Sequence, residues 1–227
     1  MATGVSRHAG ALHALQAIAE AFACDGDLAA TIEAFAHETA HPRGAVLWPL
    51  ADRDETTLIM AGSAQEVAYG QDGSVLQLMI LGQGDLYGSL MGADESGAAQ
   101  TEAVSEGRGA HFTTASLVRL MDSYSAVARA INRQLASRLE ALRRRMVEST
   151  LLSVSGRISA ELLRRSAFSP DRTIRPMPVM SELALSVRST RETVSRTISQ
   201  LEKRGLVRRV EGGLQVVAPH RLQEIVY

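Results

Sequence analysis

The stretch Ser189–Leu206, which reads STRETVSRTISQLEKRGL, has the spacing of an amphipathic helix. Its apolar residues recur every three or four positions on one face, and polar residues recur on another. The apolar face comprises Val194, Ile198 and Leu201, and the polar face comprises Arg188, Arg191, Glu192, Ser195, Arg196 and Ser199. We predict a helix from Thr190 to Arg204 that ends at Gly205, with the apolar face packed and the polar face exposed.

The polar face has the chemistry that reads DNA. Arginine can donate two hydrogen bonds to guanine, glutamate can accept one from cytosine, and serine can bond a base or a phosphate. The alternative is a surface helix on which Glu192 and Arg196 form an ordinary i, i+4 ion pair. The flanking sequence favours DNA binding, because a short helix over Ser181–Val187 precedes this helix and a hairpin over Leu206–Val217 follows it. This order predicts a winged helix-turn-helix within residues 151–227.

A long helix is predicted before this domain, over residues 122–150. No Gly or Pro interrupts the chain between Ser123 and Gly156, and Asp122 or Ser123 can cap the helix start. The apolar positions are Val127, Ile131, Leu135, Leu139, Leu142 and Met146. A stripe of this length predicts a parallel homodimer, and the alternative is a helix that lies across its own domain. We expect the run Arg143–Arg145 to be solvated.

The first 121 residues are predicted to form a sensor domain. Apolar spacing over Ala11–Glu38 predicts two short helices separated at Asp25–Asp27. Short β-type runs follow between residues 44 and 115, and Asp72-Gly73 is a hairpin signal between two of them. Many short strands favour an antiparallel barrel or roll. The predicted fold class is therefore α+β: an N-terminal β-roll, a long dimerisation helix and a C-terminal winged helix-turn-helix.

Charge is divided along the chain. Before Ala128 there are 5 basic and 16 acidic residues, and after it there are 19 basic and 9 acidic residues. A basic half indicates a polyanionic partner such as double-stranded DNA, and the alternative is a pair of solvated surfaces of opposite sign. No apolar run is long enough for a membrane span, and Cys24 is the only cysteine. We expect a cytoplasmic protein with no membrane partner, no iron–sulfur cluster and no disulfide.

At Ser189–Arg196 and Leu201–Leu206 the chain resembles the Crp/Fnr family of bacterial transcription regulators. The resemblance extends to Gly156-Arg157-Ile158, to the long helix, and to a roll like a cyclic-nucleotide-binding domain. It implies that Arg191, Glu192 and Arg196 contact bases of a palindromic site. The residues expected chiefly to position the DNA backbone are Thr190, Ser195, Arg208 and Arg209, and Arg188 and Ser189 are further expected DNA-binding residues. Arg188 stands where the family usually has Gly in the turn before the recognition helix. The loop Ser166–Ile174 resembles the surface that activating members present to RNA polymerase.

The cofactor pocket departs from the family pattern. The segment Gly82–Gly88 resembles the approach to the phosphate-binding loop, but Ser89 and Ala99 stand where members that bind cyclic AMP have Glu and Arg. A buried phosphate without its counter-charge is unfavourable by several kcal/mol. The purine-contacting position of the long helix is also apolar, near Leu142. We therefore expect that the protein does not bind cyclic AMP as a cofactor. The alternative is that cyclic AMP binds and that Arg108 replaces the usual arginine as the partner of its phosphate.

The sequence gives weaker support for a metal site, a reactive cysteine or a catalytic site. His37 and His41 are four residues apart on a predicted helix, as two metal ligands can be, but no third ligand accompanies them, so we expect a surface pair and no metal. We interpret Cys24 as a packing residue and predict no enzymatic activity, because no catalytic constellation is evident. Three hypotheses for the roll remain open. It binds an unidentified effector, it is a vestigial domain in a ligand-independent regulator, or it serves assembly without DNA.

Overall fold

The computed structural model describes residues 14–48, 54–71, 73–89 and 99–226 of the chain. The chain divides into two compact units, Met1–Leu139 and Glu140–Tyr227, and the boundary falls inside the longest helix. None of the described helices has both the length and the apolar character needed to cross a membrane. The three-part division that we drew from the sequence stays a prediction.

The first unit is built mainly from two antiparallel sheets of four strands. One has the order β1-β8-β3-β6 and the other the order β2-β7-β4-β5. Its helices are α1 (14–22), α2 (Gly26–Glu33), α3 (Thr114–Ser123) and the first part of α4 (Ser125–Leu151). Its strands are β1 (His37–His41), β2 (Val46–Trp48), β3 (Glu55–Ala61), β4 (Ala64–Tyr69), β5 (Val75–Leu81), β6 (Leu86–Gly88), β7 (Ala99–Ala103) and β8 (Gly107–Thr113).

Alternate residues of β3 belong to two different cores, because successive side chains of a strand point to opposite faces. Leu58 and Met60 pack in a cluster with residues of the helices, such as Phe22 and Ile131. Ile59 packs in a second cluster to which both sheets contribute. The two sheets therefore face each other as a roll, and the helices cover the outer face of the first sheet.

The second unit is a small helical domain with a three-stranded sheet of order β10-β11-β9. Its elements after α4 are α5 (Val154–Ser166), β9 (Thr173–Ile174), α6 (Met180–Ser186), α7 (Arg191–Lys203), β10 (Val207–Val210), β11 (Gly213–Val216) and α8 (Pro219–Gln223). Val194, Ile198 and Leu201 of α7 are fully or almost fully buried in one apolar cluster with residues of α5, α6 and the hairpin. The packed face predicted from the sequence is confirmed, as are the helix, the hairpin and the α+β fold class.

Sequence reasoning was wrong about the segment that follows α2. This helix ends at Glu33, and His37–His41 forms β1 instead of continuing the helix. The strand pairs along its whole length with β8. Backbone hydrogen bonds to a distant part of the chain therefore override the helical spacing, and His37 and His41 lie on a strand.

The start of the long helix was also placed wrongly. Asp122 and Ser123 are the last residues of α3, a helix that the sequence pattern did not reveal, and α4 begins at Ser125. The single residue Tyr124, with extended φ and ψ, separates the two helices. A break of one residue without Gly or Pro leaves little trace in the periodicity. At its other end α4 continues to Leu151, one residue beyond the predicted end, and α5 begins after its N-cap Ser153. Strand β9 and helix α8 were missed as well.

The Asp72-Gly73 hairpin was predicted correctly in position, although Asp72 lies outside the described residues. Tyr69 pairs with Val75 across the turn between β4 and β5. The backbone N–H of Gly73 donates to the carbonyl of Gly70 at 3.0 Å, and Gly73 has a positive φ of 78°. A glycine tolerates this backbone conformation, which most other residues rarely adopt.

Candidate nucleic-acid interface

The recognition helix α7 begins at a capped N-terminus. Thr190 is the N-cap, and its side-chain oxygen accepts from the backbone N–H of Thr193 at 3.2 Å. Arg191, Glu192 and Arg196 are exposed, and Ser195 is half-buried. The side chains expected to read bases therefore lie on the free side of a helix whose other side is buried.

Glu192 lies in the first turn of α7. A hydrogen bond from its own backbone N–H, and then one from the Thr190 side chain, hold the pKa of the Glu192 carboxyl below its usual value. The carboxylate is therefore ionised at neutral pH. An ionised carboxylate only accepts hydrogen bonds, which is the state required to accept one from a cytosine amino group.

The turn before α7 contains Arg188 in the left-handed conformation, with φ of 52°. This confirms that Arg188 occupies a turn position whose backbone favours glycine. The backbone N–H of Ser189 donates to the carbonyl of Ala184 at 2.9 Å, so the turn closes despite the side chain. Arg188 itself is exposed, next to the start of α7.

Arg157 of α5 holds this turn in place, a role that sequence reasoning did not assign. Its guanidinium donates to the carbonyls of Val187 at 2.9 Å, Leu152 at 2.9 Å and Arg188 at 3.3 Å. The signal was present, because Arg157 stands in the quoted Gly156-Arg157-Ile158 segment inside an otherwise amphipathic helix. One side chain thus connects the start of α5 with the turn that aims the recognition helix.

Replacing Arg157 with Met is expected to destabilise the second unit by about 2 to 4 kcal/mol, because three carbonyls lose a charged donor. The measurement is amide hydrogen exchange in α7, which should become roughly 30- to 1000-fold faster, since each 1.36 kcal/mol corresponds to a factor of ten. Arg221→Met, at an exposed arginine of the same unit, is the matched control. Equal exchange in the two variants would show that Arg157 does not anchor the turn.

The wing is the hairpin of β10 and β11, and its two arginines are exposed. Arg208 donates to the Gln215 side chain at 2.7 Å, and Nε of Arg209 lies 3.5 Å from a carboxylate oxygen of Glu202. Arg208 thus has an uncharged partner, whereas Arg209 has an acidic neighbour on α7. The roles of these arginines in DNA binding stay predictions.

The three consecutive arginines Arg143–Arg145 near the end of α4 differ in their exposure to solvent. Arg143 and Arg144 are exposed, as expected, but Arg145 is half-buried. Near it, Glu161 of α5 pairs with Arg165 at 2.7 Å and also with Arg164, which reaches Glu148 at 2.6 Å. This network connects α4 with α5 inside the second unit.

In the first unit, Gly88 and Ser89 lie at the end of β6 and Ala99 at the start of β7, in different sheets. A side chain at Gly88 would meet the carbonyl oxygen of Glu55 at 2.4 Å, so only glycine fits there. The Ser89 N–H donates to that carbonyl at 3.0 Å, and the Ser89 carbonyl accepts from the Thr56 hydroxyl at 2.8 Å. Ser89 therefore serves to hold the strands together.

Arg108 is already paired and so is not free to replace the phosphate-binding arginine whose place Ala99 takes. Its guanidinium lies 3.6 Å from a carboxylate oxygen of Glu38. It shares a strand face with Ala110 and Phe112, which pack in the cluster on the helix side of the sheet. Arg108 thus has an acidic partner on the face away from the interior of the roll.

The loop before β6 is fastened to α4. Gln134 donates to the carbonyl of Gly84 at 2.7 Å and accepts from the N–H of Leu86 at 3.1 Å. Arg138 donates to the carbonyl of Leu86, and its guanidinium lies 3.9 Å from Asp85. Burial lowers the pKa of Arg138, and the nearby Asp85 and Glu66 oppose that shift. The roll and the long helix are therefore joined by specific polar contacts.

Comparison with known proteins gives concordant matches. Residues 156–225 match the family model described as a Crp-like helix-turn-helix domain. The chain is 29% identical over 177 residues to the cAMP-activated global transcriptional regulator Vfr of Pseudomonas aeruginosa, with 73% of this chain and 82% of Vfr covered. FixK2 from Bradyrhizobium japonicum has a similar fold, with 18% identity, 85% and 98% of the two chains covered and a TM-score of 0.69. A mutant of CooA from Carboxydothermus hydrogenoformans also has a similar fold, with 17% identity and a TM-score of 0.75. The match covers 87% of this chain and 90% of the CooA chain.

The fold and the exposed face of α7 define a DNA-binding protein of the winged helix-turn-helix class with a β-roll in its first unit. Residues 156–225 belong to the Crp-like helix-turn-helix family. The chain is a Crp/Fnr-type DNA-binding transcription regulator. The family consists of transcription regulators rather than enzymes.

Proposed function

We propose that this regulator acts in the cytoplasm as a homodimer that binds a palindromic DNA site without cyclic AMP. The observation that carries the proposal is the unpaired apolar stripe of α4. Its large side chains are 41 to 72% exposed at Leu135, Leu139, Leu142 and Met146. Water-exposed side chains spaced by three and four residues are those that a parallel coiled coil buries.

A dimer places two copies of α7 on one DNA molecule. In helix-turn-helix dimers the two recognition helices enter successive major grooves about one helical turn apart, so the site has two-fold symmetry. Arg191, Glu192 and Arg196 would then read each half-site. RNA polymerase is the proposed protein partner, through the loop Ser166–Ile174, in which Phe168 is 90% exposed.

Independence from cyclic AMP is supported by the residues around the expected pocket. Ser89 and Ala99 carry no positive charge, and the backbone of Ser89 is occupied by contacts with β3. Arg108 is paired with Glu38. Vfr is described as activated by cAMP, but these residues provide no comparable counter-charge for a cyclic phosphate.

The alternative is a regulator controlled by another effector that binds in the roll. The contacts of Gln134 and Arg138 with Gly84 and Leu86 favour it, because a change in the loop would be transmitted directly to α4. An effector acts in this way only if it binds one arrangement of the loop more tightly than another.

The test is selection from a random pool of DNA by the purified protein, with and without cyclic AMP, at two salt concentrations. We expect the same palindrome under both nucleotide conditions, and steeply weaker binding at high salt because phosphate contacts release counterions. Enrichment only with cyclic AMP would contradict ligand independence. Failure to enrich any sequence under either condition would favour the effector-controlled alternative or a role in assembly.

A further inference from the structure

Among the described residues, the imidazoles of His37 and His111 and the carboxylate of Glu55 converge on one face of the first sheet. Each offers one possible ligand atom, and these three atoms lie within 4.8 Å of one another. We refer to these residues as the His-Glu-His cluster. We propose that it binds a divalent transition-metal cation of the zinc type, a site that goes beyond the proposed DNA binding and does not depend on it.

Strand register brings these residues together. His37 of β1 lies directly opposite His111 of β8, and His111 lies opposite Thr57 of β3. Glu55 is two residues before Thr57, so its side chain lies on the same face and diagonal to His111. Three adjacent strands thus supply one ligand each, on backbone positions fixed by the sheet.

The distances suit a small cation. One carboxylate oxygen of Glu55 lies 3.9 Å from Nε2 of His37, and the other lies 3.9 Å from Nδ1 of His111. Bonds of about 2.0 to 2.1 Å in a tetrahedral site place ligand atoms about 3.3 Å apart. The His37 and His111 rings are stacked, with centroids 4.9 Å apart and planes 20° apart, so a shared cation requires the exposed His37 ring to rotate out of the stack. Two imidazoles and one carboxylate are a common ligand set for zinc, with a fourth position left for water.

A second layer of contacts orients His111. The Thr39 hydroxyl lies 2.5 Å from Nε2 of this imidazole, and the Thr57 hydroxyl lies 2.8 Å from Nδ1. Metal-binding histidines use the second ring nitrogen to bond such a group, which fixes the ring and leaves the first nitrogen for the metal. Thr39 fills this role. A metal at Nδ1 would take the place of the Thr57 hydroxyl on that nitrogen.

The backbone beside the cluster leaves room for it. A side chain at Gly109 would meet the Thr57 methyl group at 2.7 Å and Nε2 of His111 at 3.4 Å. His111 is 8% exposed, whereas the side chain of His37 is 52% exposed. The cluster thus has a packed inner ligand and an outer ligand in contact with solvent. The sequence alone paired His37 with His41, because it could not show that the other ligands come from β3 and β8.

The test is calorimetric titration of the full chain with Zn²⁺, together with the visible absorption of bound Co²⁺. We expect one tight site per chain, weakened at least about 10-fold in His37→Gln and in Glu55→Gln. His37 is exposed, so its substitution should leave the fold intact. Thr39→Val should weaken binding about 10-fold and shift the Co²⁺ spectrum, since it frees the His111 ring without removing a ligand.

The controls are His41→Gln, on the same strand, and His220→Gln, in the second unit. Both should bind Zn²⁺ within about 2-fold of the unmodified chain. The proposal is overturned if no tight site is found, or if His37→Gln and Glu55→Gln bind as tightly as these controls. The proposed DNA binding can be measured separately with chelator present, so failure of one proposal does not imply failure of the other.

Discussion

Replacing both Leu139 and Leu142 with Glu should yield a monomer that binds a palindromic operator at least about 1000-fold more weakly than the unmodified protein. Both leucines lie on the exposed stripe of α4. In a dimer the substitutions place four carboxylates in an apolar seam, where burial of unpaired charge is strongly unfavourable. A monomer also loses the gain in affinity that comes from linking two half-site contacts. Sedimentation equilibrium measures the mass, and fluorescence anisotropy measures DNA affinity.

The control must add the same charge to the same helix. Ser137 and Ala141 are exposed and lie away from the stripe. The double substitution Ser137→Glu and Ala141→Glu should therefore remain dimeric and bind the operator within about 10-fold of the unmodified protein. If the leucine variant remains dimeric, the apolar stripe is not the dimer interface.

The second large effect is expected at Arg196. Its replacement by Ala should reduce affinity for the selected operator by roughly 2 to 6 kcal/mol, because each of two half-sites loses a base contact of about 1 to 3 kcal/mol. Binding to scrambled DNA should fall far less. The measurement is the ratio of the two dissociation constants at one salt concentration.

Arg204→Ala removes the same charge from the other end of α7, where Arg204 is exposed at the C-cap. This control should leave the ratio nearly unchanged.

Glu192→Ala should relax preference at one base pair of each half-site, while Arg208→Ala should weaken all sequences alike and lower the salt dependence. Equal losses on operator and scrambled DNA in the Arg196 and Glu192 variants would contradict the assignment of these side chains to base reading.

The second unit was largely predictable because its signals are local. The apolar residues of α7 define a buried face, the N-cap threonine precedes the helix, and the Gly-rich turn of the wing separates two strands. Each of these features is decided within about twenty residues. The exposed side chains of α7 follow directly, since they lie opposite the buried ones.

The roll was less predictable because its contacts join distant parts of the chain. The segment His37–His41 has helical spacing but pairs with β8, about seventy residues later. For the same reason, Glu55 and His111 could not be associated with His37 before the register was known. Arg157 was visible in the sequence, but its contacts depend on how α5 meets the turn at Arg188.

At Arg188 the backbone conformation and the side-chain charge have opposite consequences for the domain. A residue other than glycine in this conformation costs on the order of 1 kcal/mol, so glycine would give a more stable domain. Glycine would also remove a positive charge at the entrance to the recognition helix. Relief of backbone strain and attraction to the DNA phosphates therefore favour different residues at this one position. With arginine here, the domain gives up some stability and keeps a cation beside the start of the recognition helix.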